Sequence, residues 1–124
     1  MATYRVLDVG NCGPDHAAIR RTLTEHFDVE VARAHGPTDT LEMLQEDKVD
    51  LVLINRKLDQ NYSDGIEILR LLKNDDNLAS IPVMLVTNYE EHQQAAMAEG
   101  AIRGFGKLEL SAPTTFERLS AVLS

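Results

Sequence analysis

The sequence predicts a doubly wound α/β domain, a five-stranded parallel sheet with helices on both faces. Three observations carry that prediction. First, Val49-Asp50-Leu51-Val52-Leu53-Ile54-Asn55 is a short apolar run closing on one polar side chain, and Ile81-Pro82-Val83-Met84-Leu85-Val86-Thr87 is another. Runs of this length and composition suit strands buried on both faces. Second, apolar residues recur at helical spacing between such runs, with breaker residues at the junctions. Third, strand then helix occurs five times over, which requires right-handed crossovers within one sheet.

Tyr4 to Val9 reads as the first strand, interrupted by Asp8 and ended by the breaker cluster Gly10-Asn11-Cys12-Gly13-Pro14. Pro14 suits the first position of a helix that runs to about Phe27, with Ile19, Leu23 and Phe27 as its buried stripe. Asp28 to Ala34 alternates as a partly exposed edge strand does. Gly36-Pro37 opens a second helix with Leu41 and Leu44 inward, and Val49 to Asn55 is the central strand. A polar loop, Arg56 to Ser63, leads to Asp64-Gly65 and a third helix carrying Ile66, Leu69 and Leu72 on one face; Asn74 to Asn77 is its exit. Pro82 stands near the start of the next strand, where a missing donor is tolerated. Asn88 with Glu91 reads as a capping box for a fourth helix, and Gly100 stops that helix. Ile102 to Gly106 is a short fifth strand, and Pro113 to Leu123 a last helix with Phe116, Leu119 and Leu123 inward.

The 124 residues make one domain, residues 1–124, long enough to bury a core. A net charge of −8 argues against a nucleic-acid footprint and against an anionic membrane surface. The single cysteine, Cys12, forms no internal disulfide and fits a reducing compartment. No segment is apolar enough to span a bilayer and the N-terminus is no signal peptide, so a cytoplasmic protein is expected.

In a parallel sheet functional groups lie beyond the carboxyl ends of the strands. Here those segments are Gly10-Asn11-Cys12, Asn55 with its loop, Thr87-Asn88 and Gly106-Lys107. Asp8 lies two residues before Gly10, on the same side and roughly 6–7 Å deeper, so it must be paired, hydrogen-bonded or protonated. It is either a displaced acid near the site or a structural carboxylate with local partners. Cys12 lacks an obvious activating cation, and His16, His26, His35 and His92 lack metal-ligand spacing; surface or packing roles are expected for all five. The loop around Asp59 and Tyr62 reads as an ordinary mobile loop, with Tyr62 a candidate anchor for a ligand.

At this point the chain resembles a response-regulator receiver domain. Residues 49–55 resemble the family's third strand, which ends in the phosphoacceptor Asp, and Asp64 to Leu69 the start of its third helix. Residues 81–87 resemble the fourth strand with its switch Thr, and Gly100 to Lys107 the segment that ends in the family's invariant Lys. The resemblance implies a flavodoxin-like (βα)5 sheet with strand order 2-1-3-4-5. It also exposes departures. Gly10 and Asn11 stand where two adjacent acids hold Mg²⁺, and Asn55 stands at the phosphoacceptor. Leu108 replaces the Pro after the invariant Lys, the loop from Asn55 to Asp64 is longer than usual, and Gly104 occupies the aromatic switch position; Thr87 and Lys107 remain.

Phosphoryl transfer needs a carboxylate nucleophile and an oxygen-rich Mg²⁺ site, whereas an amide forms no acyl phosphate. The expectation is therefore a non-enzymatic pseudo-receiver with weak or absent Mg²⁺ binding and no cofactor. It would be a phosphorylation-independent interaction module of bacterial two-component signalling. The resemblance implies a protein partner on about Glu90 to Leu123, a surface that also mediates homodimers in relatives. Lys107 is expected to hydrogen-bond Asn55, the bland alternative being a Lys that points to solvent. The Lys107–Leu108 bond is expected trans, because a cis bond before a non-proline residue costs about 2.5–4 kcal/mol. Two further classes compete: a small-ligand or cofactor binder on the same sandwich, and an enzyme using Asp8, Asp59 or Asp64 in a rearranged site.

Overall fold

In the computed structural model, which describes residues 3–124, five parallel strands form one sheet in the order β2-β1-β3-β4-β5. The elements are β1 (Tyr4–Val9), α1 (Gly13–His26), β2 (Val29–Ala34), α2 (Pro37–Glu46), β3 (Leu51–Asn55), α3 (Ile66–Lys73), β4 (Val83–Val86), α4 (Glu90–Ala98), β5 (Ile102–Phe105) and α5 (Pro113–Leu123). The strand order is the expected one. Its cause is visible in the burial of β3: Leu51 to Ile54 are fully inaccessible, so this strand takes the centre, while β2 is buried only at its two end residues, Val29 and Ala34, and takes an edge.

The pleat divides the core into two layers. Leu7, Val9, Val52, Ile54, Val83 and Leu85 face one side with Leu44, Ile68, Leu69, Leu72 and Ala96. Val6, Leu51, Leu53, Met84, Val86 and Phe105 face the other with Ile19, Leu23, Leu119 and Leu123. Asp8 is paired in register with Leu53 of β3 and Arg33 of β2, so it belongs to the second layer. No helix among the described residues is long and apolar enough to cross a membrane.

Several boundaries differ from the expectation. The central strand starts at Leu51 rather than Val49, because the Asp50 carboxylate accepts the Arg5 N–H at 2.8 Å and closes the ladder from outside. Phe27 lies beyond α1 in extended backbone and is half-buried. Thr40, Thr115 and Ile68 are buried at positions the apolar stripes did not mark. Phe116 is half-buried instead, with its ring 4.3 Å from that of His26.

The predicted capping box at Asn88 does not form. Tyr89 is the N-cap of α4 without a side-chain cap, and Asn88 Oδ1 instead accepts the Leu108 N–H at 3.0 Å. Gly106 makes room for this: a Cβ there would stand 2.0 Å from Asn88 Oδ1. Gly100, at φ +103°, ends α4 as expected.

The β4–β5 ladder is irregular between Met84 and Val86, and buried Gln93 of α4 repairs it. Its Nε2 donates to Leu85 O and Thr87 O, while its Oε1 accepts the Gly104 N–H at 2.9 Å.

Candidate functional site

Gly10 has no side chain to offer and no space for one. It adopts φ +78°, a left-handed backbone that L side chains rarely take, and a Cβ there would lie 2.5 Å from Leu58 Cδ2. Leu58 comes from the loop after β3 and is buried. The same loop is fastened to Gly10 by Asp59 N–H donating to Gly10 O at 3.0 Å, and folds on itself through a bridge between Lys57 and Asp64. The loop read as mobile is thus pinned over the end of β1, because one of its side chains is apolar and buried. Tyr62, at its tip, is exposed.

Asn55, last in β3, is also committed. Its Nδ2 donates to Lys57 O at 2.6 Å and to Gly10 O at 3.3 Å. An amide suits this place because both partners are carbonyl acceptors; a carboxylate would oppose them.

Asp8 is inaccessible to solvent, and its partners are local. It accepts from Asn11 Nδ2 at 2.6 Å and faces His16 Nδ1 at 2.7 Å. Burial pushes its carboxyl above the ordinary range, and the bonds from His16 and Asn11 offset only part of that rise. The chain of charge continues outward. Arg33 donates to Asn11 O at 3.1 Å and lies 3.7 Å from Asp59, whose carboxylate also faces His35 Nδ1 at 3.4 Å. His16 and His35 therefore have carboxylate partners that their scattered spacing in the sequence did not reveal.

Lys107 follows β5 as expected but does not reach Asn55. Its Nζ donates to Asp15 Oδ2 at 2.7 Å, and Cys12 Sγ donates to the same oxygen at 3.2 Å. The reason is electrostatic: Asn55 offers a neutral amide already bonded to backbone, whereas Asp15, at the start of α1, offers charge. The Lys107 hydrogen bond, more than it is opposed by burial, holds the Asp15 carboxyl below its usual range. The Lys107–Leu108 bond is trans, as expected.

Thr87 Oγ1 accepts the Tyr89 N–H and lies 3.3 Å from His92 Nδ1. Gly104 leaves no aromatic ring to swing: a Cβ there would lie 2.2 Å from Leu85 O. Its carbonyl accepts from Arg118 Nη1 at 3.0 Å, and the following Phe105 is buried. Between these residues lies a pocket of about 230 Å³, lined by Asn55, Arg56, Lys57, Val86, Thr87, Asn88, Tyr89 and Lys107. Arg56 and Lys57 are members that the sequence reading did not single out; their neighbouring positions after Asn55 were the available signal.

The divalent cation implied by the resemblance does not fit these donors. Gly10 supplies none. Asn11 is buried, and although its Oδ1 has no hydrogen-bond partner, it is a neutral oxygen. The nearby carboxylates are already engaged: Asp8 by His16 and Asn11, Asp15 by Lys107, and Asp59 by Arg33 and His35. A hard cation needs several oxygens with carboxylates among them. Among the described residues no group of three or more His, Cys, Asp or Glu is placed to hold a metal ion.

The fold and these positions can be set beside known proteins. The family model described as "Response regulator receiver domain" matches residues 14–108. A curated relative, the polar-differentiation response regulator DivK of Brucella anthropi, is 27% identical over 104 residues, covering 83% of each chain. Among solved structures, a putative response regulator from Chloroflexus aurantiacus superposes with a TM-score of 0.81 at 16% identity, covering 98% of both chains. The Vibrio cholerae chemotaxis protein CheY4 superposes with a TM-score of 0.76 at 21% identity, covering 98% of this chain and all of its own.

Proposed function

Since the chain belongs to the response regulator receiver domain family of two-component signalling, we propose that it is a receiver module that signals without being phosphorylated, by binding a protein partner. One observation carries this reading. At the edge where the resemblance puts three carboxylates, Gly10 has neither side chain nor room for one, and Asn11 and Asn55 carry neutral amides whose nitrogens donate to internal acceptors. The module has no enzymatic turnover of its own, needs no Mg²⁺ or other cofactor, and works in the cytoplasm.

The partner surface is α4, β5 and α5, roughly Glu90 to Leu123, and a homodimer would use the same face. The features there favour a fixed surface rather than a switched one. Gln93 joins α4 to both strands, Arg118 holds Gly104 O, and Arg103 of β5 pairs with Glu90 of α4 through both carboxylate oxygens. That pair, first of all the hydrogen bond from Arg103, takes the Glu90 carboxyl down to about 2, so its charge persists at any physiological pH.

The test is incubation with acetyl phosphate and Mg²⁺, followed by intact-mass measurement beside a receiver that has a phosphoacceptor Asp. The expected result is an unchanged mass for this chain and an acyl-phosphate adduct on the control. An adduct on this chain that is lost on hydroxylamine treatment would falsify the reading.

A further inference from the structure

We propose that the pocket beneath the end of α2 binds a small amphipathic amine, with its apolar body inside and its ammonium group at the mouth. The pocket holds about 320 Å³ and lies near the amino ends of β1 and β2, at the opposite end of the sheet from Asn55. That volume falls within the roughly 300–1,000 Å³ typical of small-molecule sites. None of its lining residues belongs to α4, β5 or α5, so the site is separate from the proposed partner surface.

Apolar side chains make the inner wall. Arg5 and Leu7 share one face of β1, and Glu30 and Ala32 one face of β2, because side chains alternate along a strand. That face carries the core layer of Leu7, Leu44 and Val52. Leu7 and Val49 are buried, while Ala32 and Met43 are partly buried and pack against the same layer. Ala32 is too small to fill the corner. The last helical residue of α2 is Glu46, and Asp47 is already in extended backbone, so the helix stops without covering it. Apolar surface is left open to a ligand instead of a neighbouring side chain.

The mouth is polar, and its groups are held in place. Arg5 is opposite Glu30 in the β1–β2 register. Its Nη2 meets Glu30 Oε2 at 3.2 Å, and its Nη1 meets Asp47 Oδ1 at 3.2 Å. Glu30 Oε1 and Asp47 Oδ2 have no partner among the described residues. One guanidinium thus orients two carboxylates and leaves each with an oxygen to spare. One cation against two anions makes the mouth net negative. The carboxyl end of α2 adds to that sign, since its last turn has no basic residue and the helix dipole is negative there. A cation is drawn to such a mouth. It gains the two spare oxygens without breaking either bond to Arg5, whereas an anion must first displace a carboxylate from Arg5.

The probe is 2-phenylethylamine, a single ring with an ammonium group on a short arm, titrated into isotope-labelled protein at neutral pH and constant ionic strength. 2-Phenylethanol is the uncharged counterpart. Saturable amide shifts with the amine are expected at Val31, Ala32, Asp47 and Val49. The alcohol should bind at least about ten-fold more weakly, as should the amine to the double variant Glu30→Gln/Asp47→Asn, which removes both acceptors and leaves Arg5 unpaired beside the ammonium. Ala32→Leu fills the inner wall without altering a charge and should abolish saturation. Glu25→Gln, exposed on α1 across the sheet, should bind as the parent does. Shifts that grow without saturating overturn the proposal. So does an alcohol that binds as tightly as the amine, or an affinity unchanged in the double variant or in Ala32→Leu.

Discussion

Leu58 occupies the space a side chain at position 10 would need: its Cδ2 lies 2.5 Å from the place of a Gly10 Cβ. Two penalties therefore meet at Gly10, a left-handed backbone worth about 1–2 kcal/mol and overpacking worth about 1–3 kcal/mol. Gly10→Ala should destabilise the domain by about 2–5 kcal/mol in urea denaturation. Leu58→Ala relieves the clash but not the backbone strain. The double variant should thus lose less than the sum of the two single ones, and strict additivity would show that the contact is not the cause.

Asp8 supplies a prediction in pH. Its carboxyl is raised, above all by burial, so the unfolded chain ionises first as pH rises and the native state lags. Asp8 therefore costs nothing below the unfolded-state value. It removes stability progressively between that value and the raised native one, and the cost is constant above. Asp8→Asn abolishes this titration while keeping a polar group for Asn11 and His16, whose Nδ1 can accept in its other tautomer. The stability of Asp8→Asn relative to the parent should rise as pH increases from about 4 and then level off. Asp8→Leu strands the Asn11 amide and the His16 ring, so at low pH it should be about 1–3 kcal/mol less stable than the parent, a deficit that narrows as pH rises because the titration is lost here too. A parent and Asp8→Asn variant with parallel stability–pH curves would contradict the assignment.

Gln93 holds the irregular β4–β5 ladder with three hydrogen bonds from a buried side chain. Gln93→Ala leaves two carbonyls and the Gly104 N–H without that partner, at a cost of about 2–4 kcal/mol. The readout that separates this from simple loss of packing is hydrogen exchange. The Gly104 amide should lose protection selectively, while amides in the β1–β3 ladder keep theirs relative to global stability.

What the sequence revealed and what it hid divides along range. The order of elements was legible because runs such as Leu51 to Ile54 and Val83 to Val86 carry their own burial signal, and because Gly100 and Pro113 mark ends by local backbone chemistry. The empty acidic positions were legible by the resemblance. The partners were not. Lys107 meets Asp15 across 92 positions of chain, and Asp8 stands near Arg33 only through strand register. Asn88 has the residue type of a cap, yet it serves Leu108, because Gly106 opens a space that no local rule describes. Thr40 and Thr115 are buried by helix packing that a stripe of apolar letters does not report.

The missing nucleophile can be restored by Asn55→Asp, but its surroundings oppose the change. Asn55 Nδ2 now donates to Lys57 O and Gly10 O; an aspartate puts oxygen against both carbonyls. The variant should lose about 1–3 kcal/mol, since two acceptors lose their donor. Carboxylate alone does not rebuild the metal site: Gly10 still contributes nothing, and Asp15 and Asp59 remain paired with Lys107 and with Arg33 and His35. With acetyl phosphate and Mg²⁺ the variant should therefore show no adduct by intact mass. Adduct formation by Asn55→Asp with Gly10 untouched would mean that the pinned loop yields to the metal, and that Leu58 does not hold its place against Gly10.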